Sequence, residues 1–113
     1  MPLLALQTTE YVENAPELMK ALSETLAQQT GKAESHCMIT IQKADMMMAG
    51  TADTAAFCDI RGISGLGPDV AKRVSGAVCA LLAAKLDLPS NRVYLNFTEL
   101  ERTQWGWDGG TFG

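Results

Sequence analysis

The chain has 113 residues, 47% of them hydrophobic and 19% charged, with 9 basic against 13 acidic side chains and a net charge of −4. This composition excludes extended disorder, collagen and coiled coil, and with no basic cluster it offers no cationic face for nucleic acid. No apolar run approaches the roughly 20 residues of a membrane span, and no charged leader opens the chain, so 1–113 reads as one globular domain, cytoplasmic by default, with non-classical export left open.

Leu3 to Thr8 reads as a strand. Asn14-Ala15-Pro16-Glu17 then carries a helix start: a capping side chain, a proline in the first turn where its missing N–H is harmless, and an acid at N3. Leu18, Leu22 and Leu26 repeat at i, i+4 and form an apolar stripe, and Gly31 ends the helix. Cys37 to Ile41 is the next strand, with Cys37, Ile39 and Ile41 on one face and Met38 and Thr40 on the other. The same order then returns. Ala56 to Ile60 reads as a strand, and the glycine-rich Gly62 to Gly67 leads into Pro68-Asp69. A second stripe follows at Val70, Val74, Val78 and Leu82. Leu88-Pro89-Ser90-Asn91 stops that helix, and Arg92 to Phe97 is a strong strand.

The two proline starts, Pro16 and Pro68, lie 52 residues apart. Two β-α-β units in series, about 2–54 and 55–113, are the simplest reading, and right-handed crossovers place both helices on one face of a four-stranded sheet. In the last strand Val93, Leu95 and Phe97 then face the helices. Tyr94 and Asn96 join Met38 and Thr40 on the other face, which is too apolar for water and too polar for a private core. That pattern predicts a subunit interface or a pocket. Five of the seven aromatic residues lie in the final twenty positions, so the tail is expected to be ordered.

Cys37, Cys58 and Cys79 are widely spaced and odd in number, and the one histidine, His36, has no second ligand pair near it. Packed, reduced thiols are expected rather than a metal site or a disulfide framework. Chemistry is more readily placed at Pro2. Removal of Met1 leaves a secondary amine at the terminus, and a terminal amine that is partly buried or near a cation is neutral at pH 7 and able to move protons.

Pro2-Leu3-Leu4, Thr30-Gly31-Lys32, Arg92-Val93-Tyr94-Leu95-Asn96 and Trp105-Gly106-Trp107 with Thr111-Phe112 occur in this order. With the duplicated plan and the length, they resemble the macrophage migration inhibitory factor family of the tautomerase superfamily, over essentially the whole chain. The resemblance implies an α+β fold assembled as a homotrimer, with three sheets around a central barrel and the helices outside. It implies keto–enol tautomerase activity at the subunit interfaces, on phenylpyruvate-like aromatic α-keto acids and more weakly on dopachrome-like compounds, without a cofactor or metal. By matching position, Pro2 is the implied base and Lys32 the cation that holds the substrate carboxylate. The backbone N–H of Ile63 is an implied substrate donor. Tyr94 and Asn96 are implied to come from a neighbouring subunit, and Trp107 and Phe112 to form apolar walls.

Some positions depart from the family. Animal members often carry a CxxC motif in the third strand, where Cys58 here has Ala55 three residues before it, so no thiol-oxidoreductase role is expected. His36 stands in place of a tyrosine at the mouth. Arg61 stands in place of a histidine before the glycine-rich loop, as a second substrate cation or a solvated one. Trp105 replaces a small aliphatic residue and is expected to narrow the pocket, favouring phenylpyruvate over dopachrome-type substrates. The alternative function is a cytokine-like protein-binding role, through a receptor, with the tautomerase site vestigial.

Overall fold

The computed structural model describes residues 1–113 and has an α+β architecture. β1 (Leu3–Thr8), α1 (Ala15–Thr30) and β2 (Met38–Lys43) are followed by β3 (Ala56–Gly62), α2 (Pro68–Leu86) and β4 (Val93–Glu99). β1 runs parallel to β2, and β3 parallel to β4. The two pairs meet through antiparallel β1 and β3, which gives one mixed sheet of order β2-β1-β3-β4.

Alternation along the strands decides which face takes the helices. Leu4 and Leu6 of β1 and Cys58 and Ile60 of β3 point into one core with Leu18, Leu22 and Leu26 of α1 and Val74, Val78 and Leu82 of α2. Both helices therefore cover the same face, and truncating any one of these leucines to Ala costs about 2–5 kcal/mol. The other face is helix-free. One row across it is Met38, Leu3, Arg61 and Thr98; the next is Thr40, Ala5, Asp59 and Asn96; the third is Gln42, Gln7, Phe57 and Tyr94. Met38 and Tyr94 are 62% and 64% exposed there.

Local chemistry sets the helix ends. Asn14 Oδ1 accepts from the Glu17 N–H at 3.2 Å, which satisfies one of the free amides of the first turn of α1. α1 stops at Gly31, whose φ of +72° suits a left-handed cap. α2 stops at Asp87, also left-handed at φ +55°, one residue before the turn expected from Leu88 and Pro89. Strand ends differ from the sequence expectation for a physical reason. β2, β3 and β4 run on through Gln42 and Lys43, Arg61 and Gly62, and Thr98 and Glu99. Ladder hydrogen bonds join backbones, so pairing continues where apolar alternation has ended.

Arg92 lies outside β4, at the end of a 3-10 turn over Ser90–Arg92. Its guanidinium donates to the carbonyls of Met48 (2.9 Å), Thr54 (2.9 Å), Asp53 (3.1 Å) and Thr51 (3.4 Å). These carbonyls belong to a loop folded about Ala49 and Gly50, both at positive φ, with Met48 and Thr51 exchanging backbone hydrogen bonds. One planar fork thus pins the connection between β2 and β3. Arg92→Lys keeps the charge but not the fork. It is expected to cost about 1–3 kcal/mol in denaturant unfolding, and to speed amide exchange at Met48 and Thr51 while exchange in the two long helices stays slow.

Candidate active site

The sheet topology brings distant segments to one end. Antiparallel pairing sets Leu3 opposite Arg61, parallel pairing sets Leu3 beside Met38, and β3 sets Arg61 beside Thr98. The chain start, the entry to β2 and the exits from β3 and β4 therefore share an edge of the molecule. Pro2 is buried there, and its carbonyl accepts from the Met38 N–H at 3.0 Å. Gly62 lies against the Met1 carbonyl: a Cβ at Gly62 would stand 3.6 Å from that oxygen and 3.2 Å from Leu66 Cδ1.

Lys32 follows the cap of α1 and reaches back over the loop after β3. A Cβ on Gly65 would lie 3.3 Å from Lys32 Cε and 3.6 Å from its Nζ. In that loop Ser64 is held at φ +106° and Gly65 at φ +75°, and a non-glycine residue in such a conformation stores about 1–3 kcal/mol of strain. The Ile63 N–H has no acceptor within the chain, so the strained turn leaves this donor unpaired. Leu66 N–H is held by the Glu99 carboxylate at 2.8 Å, tying the loop to the end of β4.

A cavity of about 230 Å³ opens between Met1, Lys32, Ile63 and Phe112, with His36, Ser64 and Arg102 completing its wall. No carboxylate lines it. The terminal amine at Met1 has its pKa lowered from 8.0, first by burial and then by the charges of Lys32 and Arg102, while Cys37 opposes the shift. Both leading causes disfavour the protonated form, so the site holds its amine toward the neutral, basic state. Across Ile63, Ser64 and Arg102 lies a larger space of about 540 Å³, lined also by Glu99, Leu100, Glu101 and Gln104.

Of the residues singled out from sequence, Lys32, Ile63 and Phe112 line the cavity; Pro2 does not, being buried next to Met1 in the chain. Tyr94 and Asn96 do not join them within one chain, because they lie on the helix-free face opposite Phe57 and Asp59. Trp107 is 61% exposed and stacks on Phe112 with ring centroids 5.7 Å apart and planes 14° from parallel. The tail is a hairpin: β5 (Gly106–Trp107) pairs with β6 (Gly110–Thr111) around Asp108 and Gly109, both at positive φ. Asp-Gly in this position is the favoured two-residue turn and was a readable signal. Arg61 does not line the cavity: it lies exposed on the open face, where it pairs with Asp59 at 2.8 Å. Trp105 is half-buried and does not line the cavity, so it does not narrow it within the chain. Arg102 is the second cation instead, on a 3-10 turn (Arg102–Gln104) that no motif marks.

The three cysteines are free. Burial pushes the Cys58 thiol up to about 12 and raises Cys37 and Cys79 as well, so none is a thiolate nucleophile at neutral pH.

Residues 1–113 match the family model described as macrophage migration inhibitory factor (MIF). The macrophage migration inhibitory factor of Xenopus tropicalis is 33% identical over 114 residues, covering 99% of each chain. Among solved structures, the homologue from Prochlorococcus marinus superposes with a TM-score of 0.94 at 30% identity, covering 98% of this chain and 99% of that one. The Entamoeba histolytica MIF-like protein does so at 0.93 and 28% identity, covering 97% of each.

Gly65→Ala tests the coupling between loop and cation. The left-handed φ costs about 1 kcal/mol with a Cβ present, a fall of a few degrees in Tm. The methyl also displaces the Lys32 ammonium. Because that charge lowers the terminal amine's pKa, the midpoint for N-terminal labelling by an amine reagent is expected to move to higher pH. An unmoved midpoint would show that Lys32 acts from elsewhere.

Proposed function

The chain belongs to the macrophage migration inhibitory factor family, and on that premise we propose that it is a keto–enol tautomerase of phenylpyruvate-like α-keto acids, with the Pro2 amine as general base once Met1 is removed. The observation that carries this reading is a cavity lined by Lys32 and Arg102 and by no carboxylate, where the present terminal amine, at Met1 next to Pro2, has its pKa lowered. Enolisation needs a base at the carbon beside the ketone, a donor at the oxygen that gains charge, and a cation for the substrate carboxylate.

Pro2 takes the proton from carbon; the C–H electron pair becomes the new C=C bond, and the carbonyl π pair moves to oxygen. That oxygen accepts hydrogen bonds from the Ile63 N–H and from Asn96 of a second copy and takes its proton from water, and the Pro2 ammonium returns its proton to solvent. Lys32 holds the carboxylate. Phe112, with Trp107 stacked on it, is a flat wall for the aryl ring. Tyr94 and Asn96 reach this site from a neighbouring subunit in a homotrimer that covers the helix-free face, where Met38 and Tyr94 are otherwise left exposed.

The test combines intact mass with a pH profile. A mass lacking methionine is expected, with phenylpyruvate tautomerisation that rises as pH passes upward through the pKa of the Pro2 amine, held down by the same neighbouring charges that lower the Met1 amine, because only the neutral amine accepts the proton. Pro2→Gly is expected to lower kcat/KM by about 10²–10⁴. Lys32→Ala is expected to raise KM and shift the profile to higher pH, since it removes a charge that disfavours the ammonium. A chain lacking Met1 but inactive on enolisable keto acids would favour the protein-binding role, which Pro2→Gly leaves intact.

A further inference from the structure

Arg102 is the one arginine that lines the cavity, and most of its guanidinium is free. Arg61 is engaged by Asp59, Arg73 donates to the Gln29 carbonyl, and Arg92 spends its fork on the loop before β3. Arg102 uses only Nε, which donates to the Phe112 carbonyl at 3.2 Å, and neither terminal nitrogen has a partner. This one bond fixes the side chain to a cavity wall. The turn beneath it is fixed too: the side chain of Glu101 and that of Gln104 cap it reciprocally.

Its surroundings explain why the charge remains open. The 230 Å³ cavity that Arg102 shares with Lys32 has no carboxylate in its wall. The nearby acids are occupied or turned away. Glu99 is taken by the Leu66 N–H, Glu101 caps the turn, and neither forms an ion pair with Arg102. Glu99 and Glu101 line the larger space on the other side of Arg102, so an anion is repelled from that side and drawn to the Lys32 side. Two cations on one small cavity exceed what a single carboxylate requires.

We propose that Arg102 is a specificity residue that holds a second anionic group, so that the preferred substrates are α-keto acids carrying a further carboxylate beyond the one held by Lys32. The proposal rests on the tautomerase reading for its chemistry, but the anion site itself is defined by Arg102 and the cavity. A guanidinium presents two parallel N–H groups to a carboxylate, which suits a distal acid on an aryl or short alkyl substrate.

The experiment compares 4-carboxyphenylpyruvate with phenylpyruvate in the methionine-processed protein, and, in parallel, equilibrium binding of 4-carboxycinnamate against cinnamate, which do not enolise. The dianion is expected to be favoured by about tenfold in both kcat/KM and affinity, with the preference shrinking as salt rises. Arg102→Gln is expected to remove that preference mainly through KM. Arg102→Lys, which keeps the charge and loses the bond to Phe112, is expected to retain part of it; equal loss in both variants would mean that Arg102 only positions the tail. Turnover of both keto acids without discrimination overturns the proposal and leaves the tautomerase reading standing. Absence of turnover with Arg102-dependent binding of the dicarboxylate does the reverse.

Discussion

Antiparallel pairing of β1 with β3, from Leu3 opposite Arg61 to Thr8 opposite Ala56, is the constraint on which the site depends. Each half of the chain is a parallel pair with its own helix, and parallel strands joined through a helix carry their entrances at the same end. Had the halves met in parallel, the start of β1 would lie beside the start of β3, and the exit loop Gly62–Leu66 would be a sheet length away. The antiparallel seam instead folds that loop onto Met1 and Pro2, brings Lys32 over it from the cap of α1, and sets the exit of β4 alongside. The same seam aligns the buried residues of β1 and β3 on one face, so the two helices suffice to cover the sheet.

Electrostatics at this end follows from the geometry. A half-buried terminal amine is already disfavoured as an ammonium by desolvation, and two neighbouring cations add to the effect. Cations do not normally gather without counterions. Here the acids that could neutralise them are committed to backbone: Glu99 to the loop and Glu101 to its own turn. The strained backbone at Ser64 belongs to the same device, since it holds the loop where it receives Lys32 and where the Ile63 N–H has no backbone partner. On the remaining face of the sheet, Asp59 and Arg61 neutralise each other amid Leu3, Met38, Phe57 and Tyr94. That mixed surface suits association with further copies better than exposure to water.

Much of the fold was legible because it rests on periodicity and caps. The leucine stripe of α1, the valine stripe of α2, the Asn14 cap and the Gly31 stop act within a few residues of themselves, and local chemistry of that kind is carried by the sequence alone. The face assignment of Tyr94 and Asn96 was equally legible, since strand alternation has a period of two. Lys32 and Pro2 were reached through an ordered set of motifs.

What tertiary structure alone decided is which of these meet. Sequence offered Arg61 as a second cation, but its alternation places it on the open face beside Asp59, a pairing visible only once the strand is built. Arg102 carried no motif, because its importance arises from lying at the exit of β4 when the exit of β3 and the chain start lie there too. The tail hairpin stacks Trp107 on Phe112 and holds Phe112 by its carbonyl to Arg102. Elements form from interactions over three or four residues and can be read along the chain. A site forms from contacts across dozens of residues, and here the antiparallel seam between two parallel pairs is what determines them.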